Sequence, residues 1–178
     1  YSYYALDVID PTSPKLVWKV TQTRNNPGNS DFDELGLTFS TPYVGKVQFE
    51  DDPTDVLIFG GGYHGGWDPN DPTATSQIGK DVNADDDPYG NAIYIVNART
   101  GELVWKATQG GGGSVSNTVY QHPQMLDSIP SEVTVLENPN GVVHRIYVGD
   151  AGGAVWRVDL PVANEDDLDD TNDRADKW

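Results

Sequence analysis

Short apolar runs that end at Asp or Asn recur along this chain and predict β-strands that lead into turns. Three of them share the order aromatic, any residue, Leu or Val, then Asp or Asn: Tyr4-Ala5-Leu6-Asp7, Tyr94-Ile95-Val96-Asn97 and Trp156-Arg157-Val158-Asp159. The first two continue through a tight turn into a second run that closes on Trp18 or Trp105, which is the pattern of a β-hairpin. No segment has a long apolar stripe at helical spacing, so the sequence predicts an all-β protein.

The recurrence of this hairpin predicts a β-propeller. Further apolar runs at 56–62 and 145–150 precede the second and third repeats, so each unit holds about four short strands. The offsets between repeats are unequal, but an insertion loop over 63–91 accounts for the difference, because loops absorb added length at little cost in free energy. A period of roughly 40–60 residues with an aromatic in each unit is typical of propeller blades.

The number of repeats predicts a partial ring. We expect about three four-stranded antiparallel blades, all part of a single β-propeller domain over 1–178, with long Asp-rich loops between strands. These loops include the insertion 63–91 and an acidic inter-blade loop over 163–176. Closed propellers have roughly four to eight blades. We therefore expect the open edges to be covered, either by the remaining blades of a longer chain or by a partner.

The charge of the chain excludes several classes of partner. With 28 Asp and Glu against 11 Lys and Arg, the formal net charge is -17, which argues against nucleic acid and anionic lipid as partners. No apolar run approaches the roughly 20 residues that cross a bilayer, so we expect no membrane span in this segment. The absence of cysteine excludes disulfides, zinc-thiolate sites and a thiol nucleophile.

Two acidic segments offer oxygen ligands for a cation. In the insertion, Asp81, Asn83 and Asp85 alternate as in the first half of an EF-hand loop and Asp87 follows, but the glycine and the distal Glu of that loop are missing. Either these four residues hold calcium or the segment is a solvated acidic loop with Asx turns, and the missing residues favour the loop. The loop 163–176 leaves the same two alternatives open and again favours the solvated loop. Its candidate ligands are Asp169, Thr171 and Asp173.

Nothing in the sequence indicates a catalytic centre, and we assign no catalytic or cofactor-binding residue. His64, His122 and His144 are far apart in the sequence, and no serine nucleophile can be paired with them, so we expect loop or surface histidines. The repeated aromatics are better explained by packing between blades than by ligand stacking, because they recur at one place in each repeat. These aromatics are Tyr3, Tyr4, Trp18, Tyr94, Trp105, Tyr147 and Trp156.

Four segments, taken in order, carry a resemblance to a known family. They are Tyr3-Tyr4-Ala5-Leu6-Asp7-Val8 with Pro11, Leu57-Ile58-Phe59-Gly60-Gly61-Gly62-Tyr63, Ile93-Tyr94-Ile95-Val96-Asn97-Ala98 with Thr100-Gly101-Glu102-Leu103-Val104-Trp105, and 147–160. In this order they resemble the C-terminal propeller of the PilY/PilC-type adhesins of the type IV pilus tip. The resemblance covers nearly the whole chain. It implies a modified seven-bladed propeller, a calcium site in one blade loop, and a role at the pilus tip in extension, retraction and surface attachment.

The resemblance also implies where a calcium loop lies, just before 145–148. The positions that match the family's ligands are Leu136, Asn138, Asn140, Gly141 and His144. Only the glycine and two amides keep the pattern, and a loop without carboxylates lacks the charge that drives calcium affinity. Two alternatives are open, a degenerate site with Asn138 and Asn140 as ligands or a lost site, and the missing carboxylates favour loss.

We therefore expect an extracellular module for adhesion and type IV pilus biogenesis rather than an enzyme. The resemblance implies a location at the pilus tip, on the surface of a Gram-negative bacterium, with pilus tip proteins (minor pilins) or a host or abiotic surface as partners. The hairpins are also similar to those of quinoprotein dehydrogenases, so a quinoprotein-like propeller that holds pyrroloquinoline quinone is the first alternative. A generic protein-interaction propeller is the second, because a fold does not determine a function.

Overall fold

The computed structural model describes residues 2–22, 30–49, 52–64 and 86–161, and these residues form an all-β fold. They contain eleven strands and no helix, as the hydrophobic pattern predicts. The strands are β1 (Ser2–Asp7), β2 (Lys15–Thr21), β3 (Tyr43–Phe49), β4 (Asp52–Gly60), β5 (Ala92–Asn97), β6 (Leu103–Gln109), β7 (Gly113–Ser114), β8 (Val119–His122), β9 (Thr134–Glu137), β10 (Val142–Gly149) and β11 (Val155–Asp159).

The two predicted hairpins are confirmed, and they share an irregularity. β1 pairs antiparallel with β2, and β5 pairs antiparallel with β6. The register shifts between Ala5 and Leu6 in the first hairpin and between Ile95 and Val96 in the second, which is the same place in the repeated motif. A bulge at the equivalent position of both hairpins indicates that they are copies of one structural repeat.

The strands form two sheets. β1 and β2 make a two-stranded sheet, and the other nine strands make the second. Its centre is an antiparallel unit of four consecutive strands, β3 to β6. β9, β10 and β11 form a three-stranded antiparallel unit, which joins the first by a short parallel contact between 142–143 and 46–47. β8 lies parallel to β6, and β7 pairs with β8.

These pairings establish the fold class but not the number of blades. The described strands give one four-stranded antiparallel unit, one unit of three strands and two pairs, β1–β2 and β7–β8, so the predicted count of three four-stranded blades stays a prediction. The two parallel contacts differ from the purely antiparallel pairing that we expect from the sequence. They arise where strands that do not follow each other directly meet at the edges of units, which local patterns do not reveal.

The two central strands of the four-stranded unit, β4 and β5, are buried on both faces, because their alternate residues enter two different cores. Ile58 and Ile95 face a core that β10 and β11 complete, whereas Phe59 and Tyr94 face a core that the β1–β2 hairpin completes. This double burial explains why the strands read as continuous apolar runs rather than as an alternation of apolar and polar residues.

Trp18 joins the hairpin to the four-stranded unit. Its indole Nε1 donates a hydrogen bond of 3.0 Å to the carbonyl oxygen of Ala98. Its ring lies against Gly101, where an added Cβ atom would stand 2.8 Å from the ring. Gly101 also has a φ of 74°, in the left-handed region that favours glycine. The second hairpin therefore needs glycine in its turn for two independent reasons.

Most of the repeated aromatics lie in the two cores, as the sequence predicts. The rings of Tyr3 and Phe59 are 4.4 Å apart, and those of Phe59 and Tyr94 are 5.6 Å apart. Trp156 is buried and donates from Nε1 to Asp150 Oδ2 at 2.8 Å. Tyr4 is instead 57% exposed, because it follows Tyr3 on a strand and so points to the other face.

Asp and Asn side chains close the turns at the ends of the strands. Asn97 Oδ1 accepts hydrogen bonds from the backbone N–H groups of Arg99 and Thr100 at 2.9 and 3.1 Å. Asp150 Oδ1 accepts from the N–H of Ala154 at 2.8 Å. Such Asx turns account for part of the high Asp and Asn content without any cation.

Candidate functional site

The positions that match the family's calcium loop lie around the turn between β9 and β10, with Leu136 in β9 and His144 in β10. Asn138 Oδ1 accepts hydrogen bonds from the backbone N–H groups of Asn140 and Val142, both at 3.0 Å. Gly141 has a φ of 74° and donates its N–H to the carbonyl of Asn138 at 2.9 Å. The side-chain oxygen of Asn138 thus closes the turn, while Asn140 lies exposed at its tip. The metal role of Asn138 and Asn140 stays a prediction.

The neighbours of this turn also have structural partners. Glu137 accepts a hydrogen bond of 2.6 Å from the hydroxyl of Tyr43, and this bond raises the pKa of Tyr43. Leu136 is exposed and offers no ligand atom in its side chain. The carboxylate nearest in sequence to the turn is therefore engaged with β3.

Asp87 is the predicted insertion ligand that the structure describes, and it is buried, with 5% of its surface exposed. Its Oδ2 accepts hydrogen bonds from the backbone N–H and the hydroxyl of Ser128, at 2.7 and 2.5 Å. Its own N–H donates to the carbonyl of Leu126 at 2.7 Å. These bonds anchor the end of the insertion on the segment after β8. This is a structural use of the carboxylate, and the metal role of Asp87 stays a prediction.

The other predicted cation ligands lie outside the described residues. They are Asp81, Asn83 and Asp85 in the insertion and the acidic loop 163–176. Within the described ranges, no group of three or more His, Asp or Glu side chains is placed to hold a metal ion. Calcium therefore stays a prediction for both segments.

A buried ion pair beneath the β1–β2 hairpin was not predicted from the sequence. Lys106 Nζ lies 2.8 Å from Glu34 Oε2, and the hydroxyl of Tyr94 donates to the same oxygen at 3.0 Å. Burial, followed by the charge of Glu34, raises the pKa of Tyr94 well above its usual range. The sequence signal for this ion pair was a lysine within an apolar strand, but no local pattern identifies Glu34 as its partner.

A second buried cluster joins β10 to β11. Asp159 is 4% exposed, and its two carboxylate oxygens lie 2.5 Å from Arg145 Nε and 2.6 Å from a terminal nitrogen of Arg157. The hydrogen bond to Asp159 raises the pKa of Arg145. Arg145 stands directly opposite Asp159 in the sheet, so correct pairing of the two strands would have identified this contact from the sequence.

The histidines lie on separate elements and differ in part from the prediction of loop or surface positions. His64 follows β4, but His122 ends β8 and His144 lies within β10, and all three are half-buried. His122 Nδ1 accepts a hydrogen bond from the N–H of Gln124 at 3.2 Å, and its ring stands edge-on to Trp156 at 5.1 Å. The prediction was wrong for His122 and His144 because polar residues on the partly buried face of a strand resemble loop residues in sequence.

The outer face of the β1–β2 hairpin is apolar and exposed. Leu6 stands opposite Leu16, and both are more than half exposed, as is Tyr4 nearby. Val8 and Ile9, in the following turn, are exposed as well. The face also carries Lys19, whose Nζ stands over the Tyr4 ring at 5.4 Å from its centroid. It thus groups exposed apolar side chains beside one cation. Among the described residues no helix has the length and apolar character of a membrane span.

The architecture is that of a known class of all-β domain. The chain is similar to the crystal structure of the Pseudomonas aeruginosa PilY1 C-terminal domain, with a TM-score of 0.57 and 23% sequence identity. The likeness covers 97% of this chain and 28% of that chain, and it shows a shared fold.

Sequence comparison leads to the same protein. The chain is 27% identical over 172 residues to the type IV pilus biogenesis factor PilY1 of P. aeruginosa strain PAO1, and equally to that of strain PAK. The match covers 97% of this chain and 11% of the length of these relatives. No protein-family model matches the sequence. The resemblance to PilY/PilC-type proteins is thus confirmed over nearly the whole chain.

Proposed function

We propose that this chain is part of an extracellular module for type IV pilus biogenesis and adhesion, built on a β-propeller scaffold. The observation that carries the proposal is the likeness to PilY1 over 97% of the chain, in sequence and in fold. The relatives are named biogenesis factors of the type IV pilus, and we propose a non-enzymatic role for this chain on the same ground.

The scaffold and its partners are part of the proposal. The shared bulge of the two hairpins and the four-stranded unit β3–β6 support a blade repeat. The exposed apolar face of the β1–β2 hairpin supports packing against the remaining blades of a longer chain. We propose a location at the pilus tip, on the surface of a Gram-negative bacterium, with minor pilins or a host or abiotic surface as partners.

Calcium is the cofactor that we propose for the insertion. The alternation of oxygen side chains at Asp81, Asn83 and Asp85 supports it, because converging oxygens are the ligands that a hard cation requires. The anchoring of Asp87 on Ser128 supports it further, since a fixed end reduces the entropy lost when a loop closes around an ion.

The pilus role is tested by removing residues 2–161 from the parent protein, in frame, in the organism that encodes it. We expect loss of surface pili and of twitching motility, counted by electron microscopy and by colony spreading. Return of the unchanged segment, or of the matching segment of PilY1, is expected to restore both. Normal piliation after the deletion would contradict the proposal, and a visible quinone chromophore in the purified protein would support the dehydrogenase instead.

The calcium site is tested by comparing Asp81→Asn/Asp85→Asn with Asp87→Asn. We expect calcium to raise the unfolding temperature of the unchanged chain, because a ligand that binds only the native state adds about 2.7 kcal/mol at a hundredfold excess over its Kd. The double variant is expected to lose this gain and to keep its stability in chelator.

Asp87→Asn serves as the matched comparison in that experiment. We expect it to lower stability by about 1–3 kcal/mol with and without calcium, because it weakens the buried bonds to Ser128. Calorimetric titration measures the binding itself. No heat and no shift in unfolding temperature for the unchanged chain would leave the insertion as a solvated loop.

A further inference from the structure

The outer face of the β1–β2 hairpin has a counterpart in the second hairpin, because the two are copies of one repeat. Each hairpin has a tyrosine directly opposite a lysine and, further along the same face, an aliphatic residue opposite a leucine. The tyrosine–lysine pairs are Tyr4 with Lys19 and Tyr94 with Lys106. The aliphatic pairs are Leu6 with Leu16 and Val96 with Leu103. The group that covers this face in the second hairpin therefore indicates what fits the first.

In the second hairpin this face is covered by the β1–β2 hairpin and by a short segment before β3. That segment buries Phe32 and Leu35 in the same core as Tyr94. Glu34, between them in the chain, accepts the hydroxyl of Tyr94 at 3.0 Å, and its two carboxylate oxygens lie 3.1 and 2.8 Å from Lys106 Nζ. The tyrosine–lysine pair of the second hairpin thus binds a carboxylate that an apolar segment of the neighbouring unit presents.

In the first hairpin the same face is open. Tyr4 is 57% exposed and Leu6 is 54% exposed, whereas their counterparts in the second hairpin are 0% exposed. Lys19 is exposed as well, with its Nζ over the Tyr4 ring. No carboxylate in the described ranges forms an ion pair with Lys19. The first hairpin therefore has the groups that bind Glu34 in the second, but no carboxylate on them.

We propose that the outer face of the β1–β2 hairpin is the docking site of a further unit of the same repeat in the parent protein, and that this unit presents one carboxylate between apolar side chains. The carboxylate lies between Lys19 Nζ and the Tyr4 hydroxyl, and the apolar side chains cover Leu6 and Leu16. A cation on an apolar face favours an acidic partner segment over a basic one, because like charges repel. The inference rests on the propeller scaffold of the proposed function and adds the chemistry of the contact.

The occupant is tested in the purified parent protein by acetylating its lysines with acetic anhydride and measuring each rate by mass spectrometry. We expect Lys19 to react at least about tenfold more slowly than Lys15, because a covered amine reacts only when the contact opens. Lys15 is the matched control on the same strand, since its counterpart Glu102 stays exposed although the face of the second hairpin is covered. Equal rates would overturn the proposal. Protection of Lys19 that disappears on dilution would also overturn it, by showing that a second copy is the occupant.

The carboxylate is tested with two peptides as probes of the full chain. One has the sequence of residues 30–37, and the other is the same peptide with Glu34→Gln. We expect the first to bind at least about fivefold more tightly by calorimetric titration, since hydrogen bonds to charged groups are stronger than neutral ones. In the Lys19→Gln chain we expect the two affinities to differ by no more than about twofold, whereas Lys15→Gln keeps the full difference.

The outcomes of the peptide titration are separate from those of the pilus experiment. Equal affinity of the two peptides for the unchanged chain, or binding of neither at millimolar concentration, would overturn the docking site. Neither the acetylation rates nor the peptide affinities depend on piliation. Failure of the pilus role and failure of this docking site are therefore distinguishable.

Discussion

Single Asp and Asn residues set the turns of this protein, and each uses its side-chain oxygen on backbone N–H groups. Asp7, Asn97, Asn138 and Asp150 all do so at the end of a strand or just beyond it. These residue types also make a sequence look rich in calcium ligands. An oxygen that accepts from the backbone N–H groups of a turn points at the backbone, so it is poorly placed to bind calcium as well. The position of an Asp relative to a strand end is therefore more informative than the number of Asp residues.

The turn glycine Gly101 gives a prediction at the same scale. We expect Gly101→Ala to lower the free energy of unfolding by about 2–4 kcal/mol, because the methyl group both strains a positive φ and meets the ring of Trp18. Urea unfolding followed by tryptophan fluorescence measures the loss.

Gly153 provides the matched control for that substitution. It has a φ of 93° but open space around an added Cβ atom, so Gly153→Ala reports the strain alone, about 1–2 kcal/mol. Equal losses at the two positions would show that contact between Trp18 and the turn does not hold the hairpin to the four-stranded unit.

At the scale of elements, the four-stranded unit β3–β6 organises the molecule because both faces of its central strands, β4 and β5, are covered. The hairpin covers one face through Trp18 and Val20, and β10 and β11 cover the other through Ile146 and Trp156. Buried ion pairs accompany both cores: Lys106 of β6 pairs with Glu34, and Asp159 of β11 pairs with its two arginines.

Two tyrosines in the core that the hairpin completes, Tyr3 and Tyr94, lead us to expect a pH-dependent free energy of unfolding. Burial raises the pKa of Tyr3 and of Tyr94, and their hydroxyls donate to Ser40 O at 2.6 Å and Glu34 Oε2 at 3.0 Å. The folded state therefore keeps protons that the unfolded state loses. The stabilisation is complete below the unfolded pKa of about 10 and is lost as the pH rises towards the folded values.

We accordingly expect the free energy of unfolding to fall above about pH 10, by up to about 1.4 kcal/mol per pH unit for each tyrosine. Urea titrations between about pH 9 and 11.5 measure this slope. Tyr3→Phe and Tyr94→Phe should each reduce this slope. Tyr4→Phe removes a hydroxyl from an exposed ring on the same hairpin as Tyr3, and it is the control for loss of a hydroxyl. An unchanged slope in both variants would show that these hydroxyls do not govern the alkaline limit.

Much of the element order was predictable because hairpins are local. The motif at Tyr94 and its copy at Tyr4 specify strand, bulge and turn within a short stretch of chain. The contact of β10 with β3 was not predictable, since it joins segments far apart in sequence through two residues of each strand. The family resemblance indicated the fold, but not which of its sites this chain retains.

For the whole molecule, the excess of acidic residues is the dominant property. A formal net charge of -17 destabilises a compact state by self-repulsion, and added salt screens it. We expect the unfolding temperature to rise by a few degrees, roughly 2–6 °C, between about 10 mM and 500 mM NaCl. Scanning calorimetry measures the rise.

Calcium chloride at equal ionic strength separates screening from binding in that series. An unfolding temperature that already rises when micromolar calcium is added indicates a specific site. Identical dependence of the unfolding temperature on the two salts would count against the calcium proposal. An unfolding temperature that does not change with NaCl would show that repulsion does not limit stability.

The double covering of β3–β6 also sets an order of events during synthesis. Its four strands can pair as soon as residue 109 has left the ribosome, since each is followed by its neighbour in the chain. The face that carries Ile58 and Ile95 then remains open until Ile146 and Trp156 have been made. A growing chain thus exposes an apolar sheet to its surroundings for the time of about fifty further residues, several seconds at common rates of translation. Secretion factors or chaperones that shield such a surface would act on this intermediate rather than on the finished protein.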